Sequence, residues 1–146
     1  MHSFDDLGLD ATLRTGLAAL NYTQPTPIQA AALPFALAGR DLIAQAPTGS
    51  GKTVAFGLAL LARIDPNLIR AQALVLCPTR ELAEQVSREL RKLALGIPNL
   101  KLSTLCGGTA LAPQLASLQA HDPQIVVGTP GRVPTTICGS CACRSW

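Results

Sequence analysis

Aromatic side chains and charges are both scarce in this sequence. Of its 146 residues, 3% are Phe, Trp or Tyr and 14% are charged, and the net charge is +3. So few aromatic rings argue against a platform on which bases stack, and the small basic excess permits nucleic-acid binding without requiring it. The hydrophobic fraction of 48% excludes a disordered chain, and the length is that of one ordinary domain with its own core.

Long apolar runs and an even set of cysteines are also missing. Near the middle of the chain, the longest apolar stretch is Val54–Ala62, far shorter than the roughly 20 residues of a membrane-spanning helix. The acidic start does not resemble a signal peptide, so we expect a cytoplasmic protein with no membrane partner. The five cysteines are an odd number, which argues against a disulfide framework. Cys77 and Cys106 end apolar runs and are expected to be buried, reduced thiols.

Short apolar runs alternate with segments of helical periodicity. The predicted strands are 41–46, 72–77, 101–106 and 124–128, and the predicted helices are 10–20, 26–38, 52–64, 79–95 and 111–120. The helix over 79–95 is the clearest, because its apolar residues recur at three- and four-residue spacing after a possible N-cap at Thr79. The alternation predicts an α/β fold in which a parallel sheet has helices on both faces and right-handed crossovers.

A glycine-rich loop lies between the first predicted strand and the helix over 52–64. It reads Ala46-Pro47-Thr48-Gly49-Ser50-Gly51-Lys52-Thr53, the phosphate-loop pattern with Ala46 at the usual first glycine. The glycines let backbone N–H groups approach phosphate oxygens, Lys52 can reach the terminal phosphates, and the Thr53 hydroxyl can coordinate Mg²⁺. The alternative, a glycine-rich turn with a surface lysine, does not explain the flanking strand and helix. The loop predicts a nucleoside triphosphate with Mg²⁺ but does not identify the base.

The phosphate loop and its neighbours resemble motifs of the DEAD-box ATP-dependent RNA helicases, in family order. Residues 21–29, Asn-Tyr-Thr-Gln-Pro-Thr-Pro-Ile-Gln, resemble the Q motif, and Phe4 stands upstream where the family has an isolated aromatic residue. Residues 78–83, Pro-Thr-Arg-Glu-Leu-Ala, resemble motif Ia, residues 107–108 the GG doublet, and residues 129–132, Thr-Pro-Gly-Arg, motif Ib. Residues 73–83 and 104–108 look closest to the bacterial DbpA-type members, which act in ribosome assembly. The resemblance covers residues 1–132 and implies an incomplete RecA-like ATP-binding domain.

The resemblance assigns roles to individual residues. ATP and Mg²⁺ are the implied cofactors, and the implied nucleotide contacts are Phe4, Gln24, Gln29, Ala46, Thr48, Gly49, Ser50, Gly51, Lys52 and Thr53, with Thr53 on the metal. The Gln29 amide matches the N6/N7 edge of adenine, and the alternative is a polar residue at a helix start. Phe4 either packs on adenine or on the first helix. The implied RNA contacts are Pro78, Thr79, Arg80, Gly108, Thr129 and Gly131. Their hydroxyls, cation and glycines suit phosphate and sugar, whereas without the resemblance Thr79 and Arg80 would be interpreted first as a helix cap and an exposed charge.

The sequence departs from the family after residue 132. The Asp-Glu-Ala-Asp and Ser-Ala-Thr motifs and the second RecA-like domain with its arginine fingers do not occur in these 146 residues. We therefore expect no complete catalytic set, weak ATP·Mg²⁺ binding, and no ATP hydrolysis or unwinding by this chain. Residues 133–146 contain Cys138, Cys141 and Cys143 and look foreign to the family, as a wrong reading frame or disordered tail would. A zinc site is the alternative, but three thiolates fall one ligand short, and His121 is the only candidate for the fourth.

Two other functions remain open from the residues alone. One is a P-loop ATPase of another class, such as a transporter or a kinase. The other is a non-catalytic module that binds nucleotide or RNA, or competes for the partners of a full helicase. Independently of function, a RecA-like sheet needs more than four strands, so we expect an unpaired sheet edge in this chain to favour non-specific self-association.

Overall fold

A computed structural model of the chain describes residues 3–108 and 110–133. The chain divides into two compact units, Met1–Ile64 with Glu89–Pro98, and Asp65–Arg88 with Asn99–Trp146. The tail of residues 133–146, which we expect from the sequence to be foreign to the family and which includes the cysteines of the zinc alternative, lies outside the described residues except for Val133. No helix in the described part of the chain is long and apolar enough to cross a membrane.

The first unit is helical. A 3-10 turn at Phe4–Leu7 precedes α1 (Ala11–Ala19), α2 (Pro27–Leu37) and α3 (Lys52–Leu61), and the unit also includes the end of α4 (Arg80–Leu93) and a 3-10 turn at Ala94–Gly96. The predicted helices over 10–20, 26–38 and 52–64 are therefore confirmed. Each begins where its sequence favours a start, with an Asp10 cap on α1, a proline at the first turn of α2 and a glycine before α3.

The second unit is a small parallel sheet with helices on both faces. Strands β1 (Ala73–Leu76), β2 (Leu102–Leu105) and β3 (Ile125–Gly128) lie in the order β1-β3-β2, so the strand that comes last in the chain is central. Ala73 and Leu102 are both in register with Ile125. The predicted strands 72–77, 101–106 and 124–128 and the α/β class with a parallel sheet are confirmed.

The two helices of this unit lie against opposite faces of the sheet. Ser87 of α4 is hydrogen-bonded to Thr104 of β2 at 2.8 Å between their hydroxyl oxygens. The next residue, Leu105, points the other way and packs with Leu118 of α5 (Leu111–His121) and with Val126. Because neighbouring residues in a strand point to opposite faces, this alternation places α4 and α5 on the two sides. Helices on both faces are thus observed here.

Gln124 fixes the amino-terminal side of the sheet. Its backbone oxygen accepts from the N–H groups of Gln72 and Ala73 at 2.8 and 3.1 Å, and its side-chain oxygen accepts from Lys101 N at 2.8 Å. Its side-chain nitrogen donates to Pro66 O at 3.1 Å. One buried residue therefore ties the segments that lead into all three strands.

The first predicted strand, 41–46, is not a strand in the structure. The segment belongs to the first unit and pairs with no other strand in the described residues, so it forms no ladder of hydrogen bonds. Leu42 and Ala44 line a cavity of about 390 Å³ with Ala32, Ala55 and other residues of α2 and α3, whereas Ile43 is fully exposed. An apolar run becomes a strand only where a neighbouring strand supplies hydrogen bonds, and the local sequence cannot supply one.

Candidate nucleotide site and RNA-facing edge

The phosphate loop in the first unit has the backbone that its glycines permit. Gly49 and Gly51 adopt left-handed φ angles of 81° and 88°, and Gly51 is the N-cap of α3. A Cβ atom at Gly49 would meet no atom within 4 Å, so the space beside the loop is open. The buried Ser50 hydroxyl has no hydrogen-bond partner in the structure. An orphaned donor, open space and a helix N-terminus together suit the oxygens of a phosphate group.

Lys52 is turned onto its own loop. Its ammonium nitrogen donates to the carbonyl oxygen of Ala46 and to that of Pro47, the latter at 2.7 Å. The cation that the sequence assigns to the terminal phosphates is therefore held by backbone oxygens. A phosphate must replace these carbonyls as its partner, and charge-assisted hydrogen bonds to phosphate are the stronger kind.

The Q-motif region holds the phosphate loop from the side. The Gln29 amide oxygen accepts from Thr26 N at 2.9 Å, and its nitrogen donates to Gly51 O at 3.1 Å. The Thr26 hydroxyl donates to Ser50 O at 2.8 Å. Gln29 is fully buried, and its amide nitrogen would lie 2.4 Å from a Cβ atom at Gly51. Gln29 therefore has a structural role at the start of α2 and at the loop, while one amide N–H and one oxygen lone pair remain for other partners.

Thr26 was missing from the residues predicted to touch the nucleotide site. Its spacing from Gln29 is the Thr-x-x-Gln of a capping box, in which the fourth side chain returns to the first backbone N–H. That spacing could have indicated the pair from the sequence. The reach of the Thr26 hydroxyl to the phosphate loop is a tertiary contact, and no local pattern predicts it.

Phe4 lines a second cavity of the first unit. The cavity has a volume of about 310 Å³, and Leu17, Tyr22 and Thr23 are among its other lining residues. Phe4 is buried, and the exposed Asp5–Arg14 ion pair lies at the same cavity, with 3.6 Å between its charged atoms. Phe4 is therefore buried and also lines a cavity together with a second aromatic residue, Tyr22. Gln24 is exposed and does not line this cavity.

The predicted RNA contacts are brought together in the second unit, at the carboxyl ends of the strands. Pro78, Thr79 and Arg80 follow β1, Gly108 follows β2, and Thr129 and Gly131 follow β3. In parallel sheets this edge is where ligands bind. The Thr79 oxygen accepts from Leu82 N at 3.2 Å and so caps α4, while Thr129 N donates to Leu105 O at 3.1 Å.

Two cysteine thiols and one carboxyl at this edge have shifted pKa values. Burial raises the pKa of the Cys77 and Cys106 thiols, which keeps both protonated and unreactive at neutral pH. The pKa of the fully exposed Glu81 carboxyl is lowered by its own backbone N–H and by the Thr79 hydroxyl. Among residues 3–108 and 110–133, no group of three or more His, Cys, Asp or Glu side chains could hold a metal ion.

Comparison with known families decides the identity of the fold. The sequence profile described as DEAD/DEAH box helicase matches residues 26–144. The chain belongs to this helicase family. The resemblance read from the motifs is thus confirmed, and a P-loop ATPase of another class, such as a transporter or a kinase, is excluded.

Relatives of known sequence support the DbpA-type subgroup. The chain is 60% identical to the Escherichia coli ATP-dependent RNA helicase DbpA over 119 residues, which are 82% of this chain and 26% of that protein. It is 47% identical to E. coli DeaD, covering 90% of this chain and 21% of the relative, and 44% identical to Listeria monocytogenes CshA, covering 91% and 25%. The chain therefore spans about a quarter of the length of these DEAD-box relatives.

Solved structures give the same family. A DEAD-box protein from the hyperthermophile Methanococcus jannaschii superimposes with a TM-score of 0.87 at 37% identity, covering 95% of this chain and 38% of the other. Saccharomyces cerevisiae Dbp5 bound to RNA and ADP BeF3 superimposes with a TM-score of 0.82 at 32% identity, covering 94% and 34%. The RecA-like DEAD-box fold is thereby confirmed.

Proposed function

We propose that this chain binds ATP with Mg²⁺ through its phosphate loop and contacts RNA through the carboxyl edge of its sheet. It does so as a part of an ATP-dependent RNA helicase, a class of protein that uses ATP to unwind or remodel RNA duplexes. The observation that carries the proposal is the phosphate loop of a DEAD-box chain, with left-handed glycines and an orphaned Ser50 hydroxyl.

Several residues of the first unit suit a bound nucleotide. The backbone between Ala46 and Gly51 and the N-terminus of α3 would hold the phosphates, and Lys52 would exchange its carbonyl partners for phosphate oxygens. The Thr53 hydroxyl would coordinate the Mg²⁺ that travels with ATP, and the metal would neutralise phosphate charge. Gln29 and Phe4 are the candidates for contacts with adenine.

The carboxyl edge of the sheet suits a nucleic-acid backbone. Arg80 supplies a permanent positive charge, the Thr79 and Thr129 side chains supply hydroxyls, and Gly108 and Gly131 allow close approach to the main chain. Such contacts recognise phosphate and sugar rather than base sequence. The Dbp5 structure was solved with RNA bound, which supports RNA as the partner of this fold.

ATP turnover by the 146-residue chain is not expected. The sequence has no Asp-Glu-Ala-Asp, so the metal lacks its acidic partner and the attacking water lacks a base to orient it. We expect weak ATP binding and weak RNA binding without hydrolysis or unwinding. By itself, this chain would therefore act as a non-catalytic fragment that binds nucleotide and RNA, which is the alternative considered from the sequence.

Fluorescent ATP binding and phosphate release together test the proposal. We expect Mg²⁺-dependent binding that Lys52→Ala weakens at least tenfold, as loss of a charge-assisted contact of about 1.5–3 kcal/mol implies. No phosphate release above background is expected with saturating RNA. Absence of binding by the unmutated chain would refute the nucleotide site, and RNA-stimulated release that Lys52→Ala abolishes would refute the predicted inactivity.

A further inference from the structure

Arg80 and Gly108 are in direct contact at the carboxyl edge of the sheet. Arg80 is the first residue of α4, just after β1, and Gly108 lies in the loop after β2. A Cβ atom built on Gly108 would lie 2.2 Å from Nη1 of Arg80 and 3.1 Å from its Cζ. The guanidinium group therefore occupies the volume that any other residue at position 108 would need for its side chain.

The contact involves a positive charge that no carboxylate in the described part of the chain neutralises. Arg80 is exposed, and no carboxylate among the described residues forms an ion pair with it. An exposed arginine normally samples many rotamers, and ordering it on binding costs free energy. Packing against the Gly108 main chain would favour one position of the guanidinium, so less of that cost would remain when a phosphate binds.

We propose that Gly108 is a positioning residue for RNA binding, since its missing side chain seats the Arg80 guanidinium at the carboxyl edge of the sheet, where the guanidinium meets a backbone phosphate. This inference rests on the proposed function, because it assumes that RNA is bound at this edge. It differs from a direct contact between Gly108 and RNA, in which the glycine would act through its own main chain and independently of Arg80.

A double-mutant cycle separates the two roles. The variants are Arg80→Ala, Gly108→Ala and the double variant of the 146-residue chain, and the measurement is the affinity for a fluorescein-labelled single-stranded RNA from 20 to 200 mM KCl. Each single variant is expected to bind about tenfold more weakly at low salt, as loss of one charge-assisted contact implies. The slope of log K against log[KCl] should fall in magnitude by about 0.7 in each, which is one phosphate contact to a single strand. The double variant should bind no more weakly than Arg80→Ala.

Gly8→Ala is the matched control for backbone strain. Gly108 has a φ of 82°, where alanine is strained regardless of the neighbouring space. Gly8 has a φ of 64°, and its Cβ position meets no atom within 4 Å. Gly8→Ala therefore introduces a similar strain without touching an arginine, and its RNA affinity and salt slope should match those of the unmutated chain.

The outcomes distinguish this inference from the proposed function. An Arg80→Ala variant with unchanged affinity and slope would refute the RNA contact itself. If Arg80→Ala weakens binding but Gly108→Ala does not, or if the Gly108→Ala effect persists in full without Arg80, only the positioning role is refuted.

The positioning role also has a test without RNA. The ¹⁵N heteronuclear NOE of the Arg80 Nε–H should report a rigid side chain in the unmutated chain and in Gly8→Ala, and a mobile one in Gly108→Ala. Equal mobility in all three chains would overturn the inference.

Discussion

Gln29 combines two tasks that can be separated by mutation. Its buried amide joins Thr26 N to Gly51 O, and it retains one N–H and one lone pair that could meet the N6/N7 edge of adenine. The sequence indicated the base contact, with a polar residue at a helix start as the alternative, but it did not indicate the bond to Gly51 O, because that bond joins residues far apart in the chain. Supporting the loop affects every nucleotide equally, whereas reading the base affects only the preference for adenine.

We predict that Gln29→Ala weakens both ATP and GTP binding and also reduces the preference for ATP. A bidentate amide–adenine pair contributes about 1–3 kcal/mol of discrimination, which is about fivefold to a hundredfold. Competition of ATP and GTP for a fluorescent nucleotide measures both effects.

Thr26→Val is the matched control for this prediction. It removes the hydrogen bond to Ser50 O but leaves the Gln29 amide, so it should weaken both nucleotides and leave their ratio unchanged. Equal affinities for ATP and GTP in the unmutated chain, or an ATP preference that survives Gln29→Ala, would remove Gln29 from the base-reading role.

Asp10 makes the stability of α1 depend on pH. Its carboxylate accepts from Leu13 N at 2.9 Å and from the Thr12 hydroxyl at 2.7 Å, and these bonds lower the pKa of Asp10 below its ordinary 3.8. A carboxyl whose pKa is lower in the folded state stabilises the fold above the unfolded pKa, and the contribution is lost as the pH falls through the folded pKa. Asp10→Ala should therefore cost about 0.5–2 kcal/mol at pH 7, with a gap that narrows below about pH 4.

Urea denaturation of dilute protein between pH 7 and pH 2 checks this expectation. The gap between Asp10→Asn and Asp10→Ala should stay constant over the same range, because neither side chain titrates. If the stability difference between the unmutated chain and Asp10→Ala were also constant over this range, the charge of Asp10 would not contribute to stability.

At the scale of elements, α1 packs against the turn Ala94–Gly96 and the end of α4 through main-chain contacts. A Cβ atom at Gly16 of α1 would lie 1.9 Å from Leu93 O, and one at Gly96 would lie 2.4 Å from Thr12 O. A side-chain rotation cannot relieve these overlaps, because the atoms that a Cβ atom would meet belong to the backbone. The close approach therefore requires glycine at both positions.

Gly16→Ala and Gly57→Ala should differ in sign or size although both glycines lie in helices. Alanine favours a helix by about 1 kcal/mol over glycine, but at Gly16 the overlap with backbone should destabilise the fold by about 1–3 kcal/mol. At Gly57 the new methyl would meet only the side-chain ends of Leu90 and Leu93, at 3.0 and 3.1 Å, and these can shift. Thermal or urea unfolding of the two variants provides the comparison, and equal effects would contradict it.

The elements also show which parts of the structure a sequence can predict. The helices α1 to α5 and the strands β1 to β3 were predicted within a few residues, because apolar periodicity and caps act locally. The segment 41–46 has the composition of a strand but no partner strand among the described residues, and pairing depends on segments distant in sequence. The phosphate loop is a local pattern and was predicted. The hydrogen bond from Thr26 to Ser50 O and the Arg80–Gly108 contact join residues distant in sequence and were not predicted.

For the whole molecule, exposed apolar side chains predict association. Ile43 is fully exposed. Leu76 lies on strand β1, whose one partner among the described strands is β3, and it is 54% exposed. An open strand edge with apolar side chains favours pairing between chains. We expect sedimentation velocity to show assembly that grows with concentration, and Leu76→Lys to reduce it because a charge on an edge strand opposes pairing.

Leu95→Lys serves as the comparison for that experiment. Leu95 is also exposed, but it follows α4 and lies on no strand, so its replacement should reduce assembly less. If the unmutated chain sediments as a monomer at all concentrations and unfolds sharply and reversibly, the open edge of β1 is not a site of association.

The strand order has a consequence for how the chain acquires its sheet during synthesis. The central strand β3 is the last of the three to leave the ribosome, and neither β1 nor β2 is paired with the other. Until β3 has emerged, β1 and β2 have no partner strand among the described residues, and the segments that lead into them lack their hydrogen bonds to Gln124. The sheet therefore cannot form before β3 has emerged, and until then β1 and β2 expose unpaired edges of the kind that favour aggregation.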